Sequence, residues 1–328
     1  MLIKIILQQF LTTIVVLSAA HTFLPAQDYN ILSAGEKMDS SYYDLAKISD
    51  NSFWAGGEYG ILKNIDTLGN LTTIDYPSNH SSILKIERHH DVVFLSTDNG
   101  TLYTYNLETE TWKRKCHKKL RNRAIYNFII QDDGSLVFGG GSRKVANAHL
   151  HIPCGFIATV DANLENLHFT WKSWRKFVWS IYQSADKTVY AACFNGLGSQ
   201  IMKFSENRWH TERRVKGLVH HMEEISGETW FCGSKSIFYK CTGLLGALYS
   251  PEDPTCYEET GCFWSMDVFN DELICQSQSG GIVTVNLDTY RNINSVFDNF
   301  ILYEIELVSQ DKYLMVGSAK TIIFATTE

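Results

Sequence analysis

One unit recurs along this chain about every 40 residues, and it limits the fold more than any other feature. Each copy has an apolar run alternating with polar residues, a polar turn, a second run ending in small residues, a turn with glycine, and a third run. The first runs begin at Tyr42, Ile83, Ile125, Val178, Val219, Phe263 and Leu302. The one wider step, of about 53 residues, contains an insertion at 146–153. This period is typical of the four-stranded blade of a β-propeller.

The second runs pass from large to small residues. Examples are Phe53 to Gly57, Leu136 to Gly140 and Val189 to Cys193. Small residues suit a wedge-shaped blade, because neighbouring sheets come close together near the axis of a propeller. The runs are rich in β-branched and aromatic residues and are separated by turns such as Asp98-Asn99-Gly100, which indicates strands joined as hairpins. We therefore predict an all-β fold.

Seven units can be counted, and the last one is short of a strand. It ends with its third run, Thr321 to Thr326, and Tyr29 to Leu32 near the other end of the chain can supply the fourth strand. Such a strand would close the ring and remove two exposed sheet edges. The prediction is a single seven-bladed β-propeller closed by an N-terminal strand, with six or eight blades as alternatives.

The first residues have the features of an export signal. Lys4 precedes a mostly apolar stretch from Ile5 to Leu17, and small residues follow. Cleavage is expected after Ala20 or Ala26, so residues 1–26 form the signal peptide and residues 27–328 the propeller domain. The apolar stretch is too short and interrupted for a membrane span. We expect an exported, periplasmic or secreted monomer.

Composition is that of a globular protein, with 45% hydrophobic and 20% charged residues. The net charge of -7 gives no case for a nucleic-acid partner. No pair of Cys or His residues has zinc spacing, so neither a metal nor a cofactor is expected.

The cysteines divide into two groups. Three occupy matching or adjacent places in three repeats, where other repeats have small residues, and are expected to be buried thiols: Cys193, Cys232 and Cys275. Cys256 and Cys262 are close together in one loop and are the candidate disulfide, with Cys241 as a competitor.

The segment from Trp54 to Leu62, Trp-Ala-Gly-Gly-Glu-Tyr-Gly-Ile-Leu, resembles the repeat unit of photosystem II assembly-factor-like and sialidase-type (Asp-box) propellers. The segment from Ser96 to Tyr103 is a partial copy, and Trp112 resembles the outer-strand tryptophan of those repeats. A complete Asp-box and the Trp-Asp dipeptide of WD repeats are both absent from the sequence. The resemblance implies the propeller fold, export, and a role in binding or assembly.

Aligning the first runs gives two columns at the end of the central channel where the inner strands begin, which we call the mouth. The second residues, the aromatic column, are mostly aromatic or imidazole: Tyr43, Leu84, Tyr126, Trp179, His220, Trp264 and Tyr303. The third residues, the polar column, are Asp44, Lys85, Asn127, Ser180, His221, Ser265 and Glu304. Aromatic side chains there favour packing between blades, whereas a polar column with aromatic walls is typical of a ligand site.

Cations are concentrated in the loops that enter blades three to five. Four of them directly precede inner strands and are candidate ligand-binding residues: Arg121, Arg123, Arg175 and Lys176. The outer-strand lysines of the same sector are expected to be solvated surface residues. A positive sector on an acidic protein attracts anionic partners.

The side chains of this mouth are consistent with two main functions. The first is a recognition module for another exported or envelope protein or an acidic glycan. The second is a carbohydrate-active enzyme of the polysaccharide lyase type, in which His221 is the base, Tyr126 or Tyr303 the acid, and Arg123 neutralises a uronate. The insertion that contains His149 and His151 could overhang the channel. A structural or assembly subunit that acts through its rim loops is the third hypothesis.

The export signal predicts the mature N-terminus. Expressed with all residues in a secreting host, the chain should lose its first 20 or 26 residues and begin at His21 or Gln27. N-terminal sequencing of the exported fraction measures this. Replacing Ile14 with Lys should keep the precursor inside the cell, because a charge interrupts the apolar stretch. An exported protein that still begins at Met1 would contradict the prediction.

Overall fold

The computed structural model describes residues 28–33, 40–77, 80–142, 154–225, 228–233, 237–241, 247–248, 263–269, 272–277, 282–286, 292–294, 302–309 and 312–326. Within these ranges the chain forms 28 strands and short 3-10 turns, with no α-helix. The 3-10 turns are Glu58–Gly60, Lys118–Leu120 and Ser318–Lys320. The all-β prediction is confirmed for the part of the chain that is described.

The strands form four-stranded antiparallel sheets, seven in the described ranges, which we number as blades in chain order. Each blade runs from an inner to an outer strand. Blade 1 has β2 (Tyr42–Ser49), β3 (Ser52–Gly57), β4 (Leu62–Asp66) and β5 (Leu71–Thr73). Blade 2 has β6 (Ile83–His89), β7 (Val92–Thr97), β8 (Thr101–Asn106) and β9 (Thr111–Cys116). Blade 3 has β10 (Arg123–Ile130), β11 (Leu136–Ser142), β12 (Gly155–Val160) and β13 (His168–Ser173).

The next three blades repeat this order. Blade 4 has β14 (Phe177–Gln183), β15 (Val189–Phe194), β16 (Gly198–Ser205) and β17 (Arg208–Lys216). Blade 5 has β18 (Val219–Ile225), β19 (Glu228–Gly233), β20 (Ile237–Cys241) and β21 (Ala247–Leu248). Blade 6 has β22 (Phe263–Phe269), β23 (Glu272–Ser277), β24 (Ile282–Asn286) and β25 (Asn292–Asn294).

Blade 7 combines strands from both ends of the described chain. It contains β26 (Leu302–Ser309), β27 (Lys312–Gly317) and β28 (Ile322–Thr326), and its outer strand is β1 (Asp28–Ser33). Asp28 pairs with Thr326 and Ile31 with Ile323, in antiparallel register. The N-terminal segment singled out in the sequence therefore pairs where the last unit lacks a strand.

Successive blades bury their apolar faces against one another. Ile83 and Ile86 of blade 2 share a cluster with Trp54 of blade 1, and Leu314 of blade 7 shares one with Leu45 of blade 1. Each inner strand contacts the inner strand of the next blade, and β26 contacts β2. A β-sheet needs its apolar faces covered, and here each blade covers its neighbour.

The small residues of the second strands permit this close approach. Gly139 lies opposite Asn127 in the β10–β11 pairing, and a Cβ atom built on it would be 2.3 Å from Cγ1 of Val178 in the next blade. Gly56, in the equivalent place of blade 1, would meet Ile83 at 2.6 Å. The sequence interpretation of the small residues is therefore confirmed, since larger side chains would separate the sheets.

Two of the predicted buried thiols lie in this layer. Cys193 and Cys232 are both buried. The side chain of Cys275 and the candidate disulfide residues Cys256 and Cys262, with Cys241, are outside the residues described in side-chain detail.

Because β1 is the outer strand of blade 7, removing the N-terminal segment should lower the stability of the protein. A variant beginning at Ser40 lacks β1 and leaves the outer edge of β28 unpaired. Because a strand contributes several backbone hydrogen bonds, its melting temperature should fall by roughly 5 °C or more relative to a control beginning at Gln27. Thermal unfolding followed by circular dichroism measures this. Equal melting temperatures would contradict the pairing.

Candidate functional site: the mouth and the central channel

A β-bulge occurs at the same place in each of the seven inner strands that the structure describes. In six blades the pairing with the second strand skips the residue of the aromatic column, as between Tyr42 and Asp44 or between Val178 and Ser180. In blade 6 it skips both Trp264 and Ser265. A bulge bends a strand and changes the direction of a side chain. The aromatic column is therefore set apart from the regular face-to-face packing of the blades.

The bulged residues of blades 3 to 5 contact one another around the mouth. Tyr126 stacks on Trp179 with ring centroids 5.0 Å apart, and Trp179 meets His220 edge to face at 5.4 Å. Phe177 packs against both Tyr126 and Trp179 and against Phe194 in its own blade. We call these five rings the aromatic platform.

A second contact joins the first and last blades. The rings of Tyr43 and Tyr303 are 5.8 Å apart, and the hydroxyl of Tyr43 donates a 2.6 Å hydrogen bond to Glu58. These contacts support the packing interpretation of the aromatic column. Tyr43, Tyr126, Trp179 and Tyr303 are nevertheless only half-buried, so their rings also contribute to the surface of the mouth. The side chain of Trp264 is outside the described residues.

The polar column reaches from blade to blade. Asp44 is almost fully buried, lies 3.2 Å from Nζ of Lys85, and accepts a hydrogen bond from the backbone amide of Ile86. Ser265 donates a 2.5 Å hydrogen bond to Glu304 in the next blade. An inner strand has one unpaired edge, and a polar side chain from the preceding blade can satisfy its amide. The column therefore has a structural role as well as lining the channel.

Carboxylates that the sequence analysis did not single out follow two residues after the polar column. They are Glu87, Glu223, Asp267 and Glu306. Glu87 and Glu306 line a central cavity of about 360 Å³ together with Lys85, Asn127, Ser180 and His221. These carboxylates could have been found in the aligned repeats, because each one follows the polar-column residue of its own strand by two positions. With Asp44 and Glu304, these residues make the channel acidic.

Burial in this channel raises the pKa of three carboxyl groups, those of Asp44, Glu87 and Glu306. Burial raises the pKa of Glu306 to about 8, with Glu304 and Asp267 acting in the same direction. Burial raises the pKa of Glu87 to about 7, against the attraction of Lys85. For Asp44, burial raises the pKa to about 7, although Lys85 and the Ile86 amide favour its charged form.

The two adjacent histidines of blade 5 have opposite environments. Burial lowers the pKa of His220 to about 3, so this ring is neutral where it packs against Trp179. For His221, burial disfavours the charged ring, but the carboxylate of Glu223, 3.6 Å away, and that of Glu304 raise the pKa. His221 therefore belongs to the charged network of the channel, and His220 to the aromatic platform.

The four cationic candidates lie in different surroundings. The guanidinium of Arg123 is 5.6 Å from the centre of the Phe156 ring and donates to the carbonyl of Cys154. Lys176 bonds to the side chain of Gln200. Arg121 and Arg175 are exposed to solvent. The first two thus have partners inside the protein, and the other two are available at the surface.

The four candidate catalytic residues have different partners. His221 pairs with Glu223, whereas Tyr126 stacks on Trp179 and its hydroxyl is 3.5 Å from the carbonyl oxygen of Ser142. Burial raises the pKa of Tyr126 to about 12, so it is protonated at neutral pH. Tyr303 contacts Tyr43. Arg123 is held against Phe156, so none of these contacts brings the proposed base His221 together with a proposed tyrosine acid and Arg123. His149 and His151 lie outside the described residues.

Two exposed apolar side chains on the mouth side of blade 4 were not found from the sequence. Trp174 is 79% exposed and Leu197 is 90% exposed. Phe177 and Phe194 pair directly across β14 and β15. Trp174 comes three residues before this pair and Leu197 three residues after it, so both lie in loops that leave the same end of the blade. No sequence pattern separates such loop residues from buried ones.

Among the described residues, no group of His, Cys, Asp and Glu side chains has an arrangement that could hold a metal ion. Within the same ranges, no helix is long and apolar enough to cross a membrane.

Comparison with solved structures identifies the fold. YCF48 bound to D1 peptide matches with a TM-score of 0.66 and 13% identity, over 92% of this chain and 95% of that one. Virginiamycin B lyase from Staphylococcus aureus matches with a TM-score of 0.69 and 10% identity, over 92% and 99%. The WD40 β-propeller domain of Doa1 matches with a TM-score of 0.68 and 9% identity, over 92% and 98%. This chain has a β-propeller-type fold.

At these identities, the likeness shows the fold alone. Neither a family model nor a curated protein sequence matches this chain.

The acidic channel predicts that stability decreases as the pH rises. Unfolded Asp and Glu ionise near pH 4, whereas Glu87 and Glu306 ionise near 7 and 8 in the folded protein. Folding thus favours their protonated forms, and this contribution is lost as the pH rises through these values. The melting temperature should fall by several degrees between pH 5.5 and pH 8.5.

The variant Glu306→Gln should show a smaller fall over the same range, because its side chain does not ionise. The variant Glu212→Gln, at an exposed position of β17, is the control and should behave as the wild type. Differential scanning calorimetry at the two pH values measures all three proteins. A Glu306→Gln variant with the same pH dependence as the wild type would show that the channel carboxyl groups do not titrate in this range.

Proposed function

We propose that this chain is an exported recognition module, a closed ring of seven blades, that binds an acidic segment of another exported polypeptide. The proposed surface lies on the mouth side of blades 3 to 5. The observation that carries the proposal is the exposure of Trp174 and Leu197 at the end of blade 4, next to the aromatic platform.

The two apolar residues belong to loops that are held together. Phe177 and Phe194 are paired in register, with ring centroids 5.5 Å apart. Beyond this pair, the hydrogen bond from Lys176 to Gln200 connects the segment after Trp174 to the segment after Leu197. These contacts fix the bases of both loops, so the two side chains are presented from a defined position with little loss of backbone entropy on binding.

The chemistry of the surface favours a polypeptide over a glycan. A single exposed apolar residue is common on soluble proteins, but two on adjoining loops beside an aromatic platform are typical of a contact with another protein. Tryptophan is enriched among the residues that dominate binding energy at such contacts. The aliphatic side chain of Leu197 has no aromatic face on which a sugar ring could stack.

The charges around this surface favour an acidic segment. Arg121, Arg175 and Arg214 are exposed on the loops and strand ends of blades 2 to 4. Arginine pairs with carboxylates through two parallel hydrogen bonds, which adds geometric selectivity to the attraction. A segment with carboxylates and at least one large apolar side chain would match both features of the surface.

A structure of the same fold supports a peptide ligand. YCF48 is similar to this chain over 92% of its length, and its structure contains a bound D1 peptide. A propeller of this size can therefore accommodate a peptide.

The proposal predicts which residues anchor a peptide. The mature protein should bind immobilised short peptides that contain several Glu or Asp residues and a Leu or Phe, and should bind the same peptides poorly when Lys replaces the acids. Replacing Trp174 with Ala and Leu197 with Ser should weaken binding roughly tenfold or more, because both apolar anchors are lost. Surface plasmon resonance on the peptide panel measures the change.

The matched control is Leu68→Ser. Leu68 is 86% exposed but lies in the turn between β4 and β5, at the opposite end of its blade. This control should bind as the wild type does. Equal loss in the control, no loss in the double variant, or binding that does not depend on the sign of the peptide charge would each rule the proposal out.

A further inference from the structure

We infer that a groove between blades 2 and 3 is a second binding site, and that its ligand is a linear acidic polysaccharide. The site goes beyond the function proposed above, because it uses different residues. It consists of two adjoining cavities of about 540 Å³ and about 490 Å³, both of which Glu165 lines. We call it the lateral groove.

The outer strand of blade 2 forms one wall of the lateral groove. Lys113 and Lys115 of β9 pair across the sheet with Thr104 and Leu102. Directly paired residues lie on the same face of a sheet, and Leu102 belongs to the core cluster shared with blade 3. The two lysines therefore project from the face of blade 2 that is turned toward blade 3.

A rigid turn of blade 3 forms the other wall. The carboxylate of Asp161 accepts hydrogen bonds from the amides of Glu165 and Asn166 and from the Asn166 side chain. Leu164 has a φ of 60°, rare for a residue with a side chain, and is buried with Leu120. His117, just after β9, hydrogen-bonds to the carbonyl of Leu164 at 2.9 Å. The turn is thus fixed against the segment that follows β9.

The lining of the lateral groove is strongly cationic. Its lysine side chains are Lys113, Lys115, Lys118 and Lys119. Four imidazoles accompany them: His89, His90, His117 and His168. Glu165 is the one carboxylate among the described lining residues, and it pairs with Lys115. On a protein with a net charge of -7, this is a local concentration of positive charge that an anion would neutralise.

The arrangement suits a linear polymer better than a single small anion. Residues two apart on a strand are about 6.8 Å apart, so Lys113 and Lys115 form a row, and Lys118 and Lys119 continue it beyond the strand. Five cations fall within the seven residues from Lys113 to Lys119, a density typical of segments that bind polyanions. A chain with regularly spaced sulfate or carboxylate groups can contact several of them at once.

The other lining residues favour a polysaccharide over a polypeptide. Thr104, Asn106, Asn163 and Asn166 supply hydroxyl and amide groups that can bond to sugar hydroxyls. A protein partner is usually anchored by exposed aromatic or large apolar side chains. Of the four such side chains in the described part of the chain, Tyr59, Leu68, Trp174 and Leu197, none lines the lateral groove.

The test uses the mature protein with four probes: heparin, polygalacturonate, neutral dextran and poly-glutamate. We expect binding to heparin or polygalacturonate that weakens with added salt, weaker binding to poly-glutamate, and none to dextran. Replacing Lys113, Lys118 and Lys119 with Gln should weaken polysaccharide binding at least tenfold. These three side chains are exposed and their removal leaves the core intact. Isothermal titration calorimetry measures the affinities.

Two further variants serve as a charge-matched control and as a test of the opposite change in charge. Replacing the exposed residues Lys47, Arg208 and Lys312 with Gln removes the same charge elsewhere and should leave the affinity unchanged. Glu165→Gln removes the carboxylate that pairs with Lys115 and should tighten binding about two- to threefold. Failure to bind either acidic polysaccharide, equal loss in both triple variants, or equally tight binding of poly-glutamate would overturn the inference. Intact peptide binding through Trp174 in these variants separates this outcome from failure of the proposed function.

Discussion

The sheets whose side chains the structure describes have two apolar faces, and neither face is buried until a neighbouring sheet packs against it. Trp54 of blade 1 is covered by blade 2, just as Leu314 of blade 7 is covered by blade 1. The other features of the fold depend on this requirement. Close packing of the sheets requires glycine at positions such as Gly139, where the next blade leaves no room for a side chain. It also favours the pairing of β1 with β28, which completes blade 7 with a strand from the N-terminal segment.

The same crowding explains the bulges of the inner strands. Near the axis there is little room for a large side chain between two sheets, and a bulge moves one residue per strand out of the regular pairing. Tyr126 and Trp179 thereby meet each other across blades, while Asn127 and Ser180 remain at the channel. One repeated irregularity thus separates an aromatic mouth from a polar channel, which regular alternation along the strand would not do.

Charge is divided among three separate environments. The channel is acidic and partly protonated near neutral pH, because burial raises the pKa of Glu87 and Glu306. The mouth side of blade 4 combines exposed arginines with Trp174 and Leu197. The lateral groove is cationic and polar, with Lys113 as an example of its lining. The excess of acid in the composition therefore matches the channel but neither of the other two surfaces.

The sequence by itself determined the strands, their grouping into repeats, the small residues of the second strands and the N-terminal strand of blade 7. These follow from local periodicity, and each repeat places its strands in the same way. The sequence also contained the channel carboxylates at a constant spacing. Only the tertiary structure decided that Arg123 turns toward Phe156 and that His117 bonds to Leu164. Such contacts join residues 30 or more positions apart, and they depend on how the blades pack, which no local pattern records.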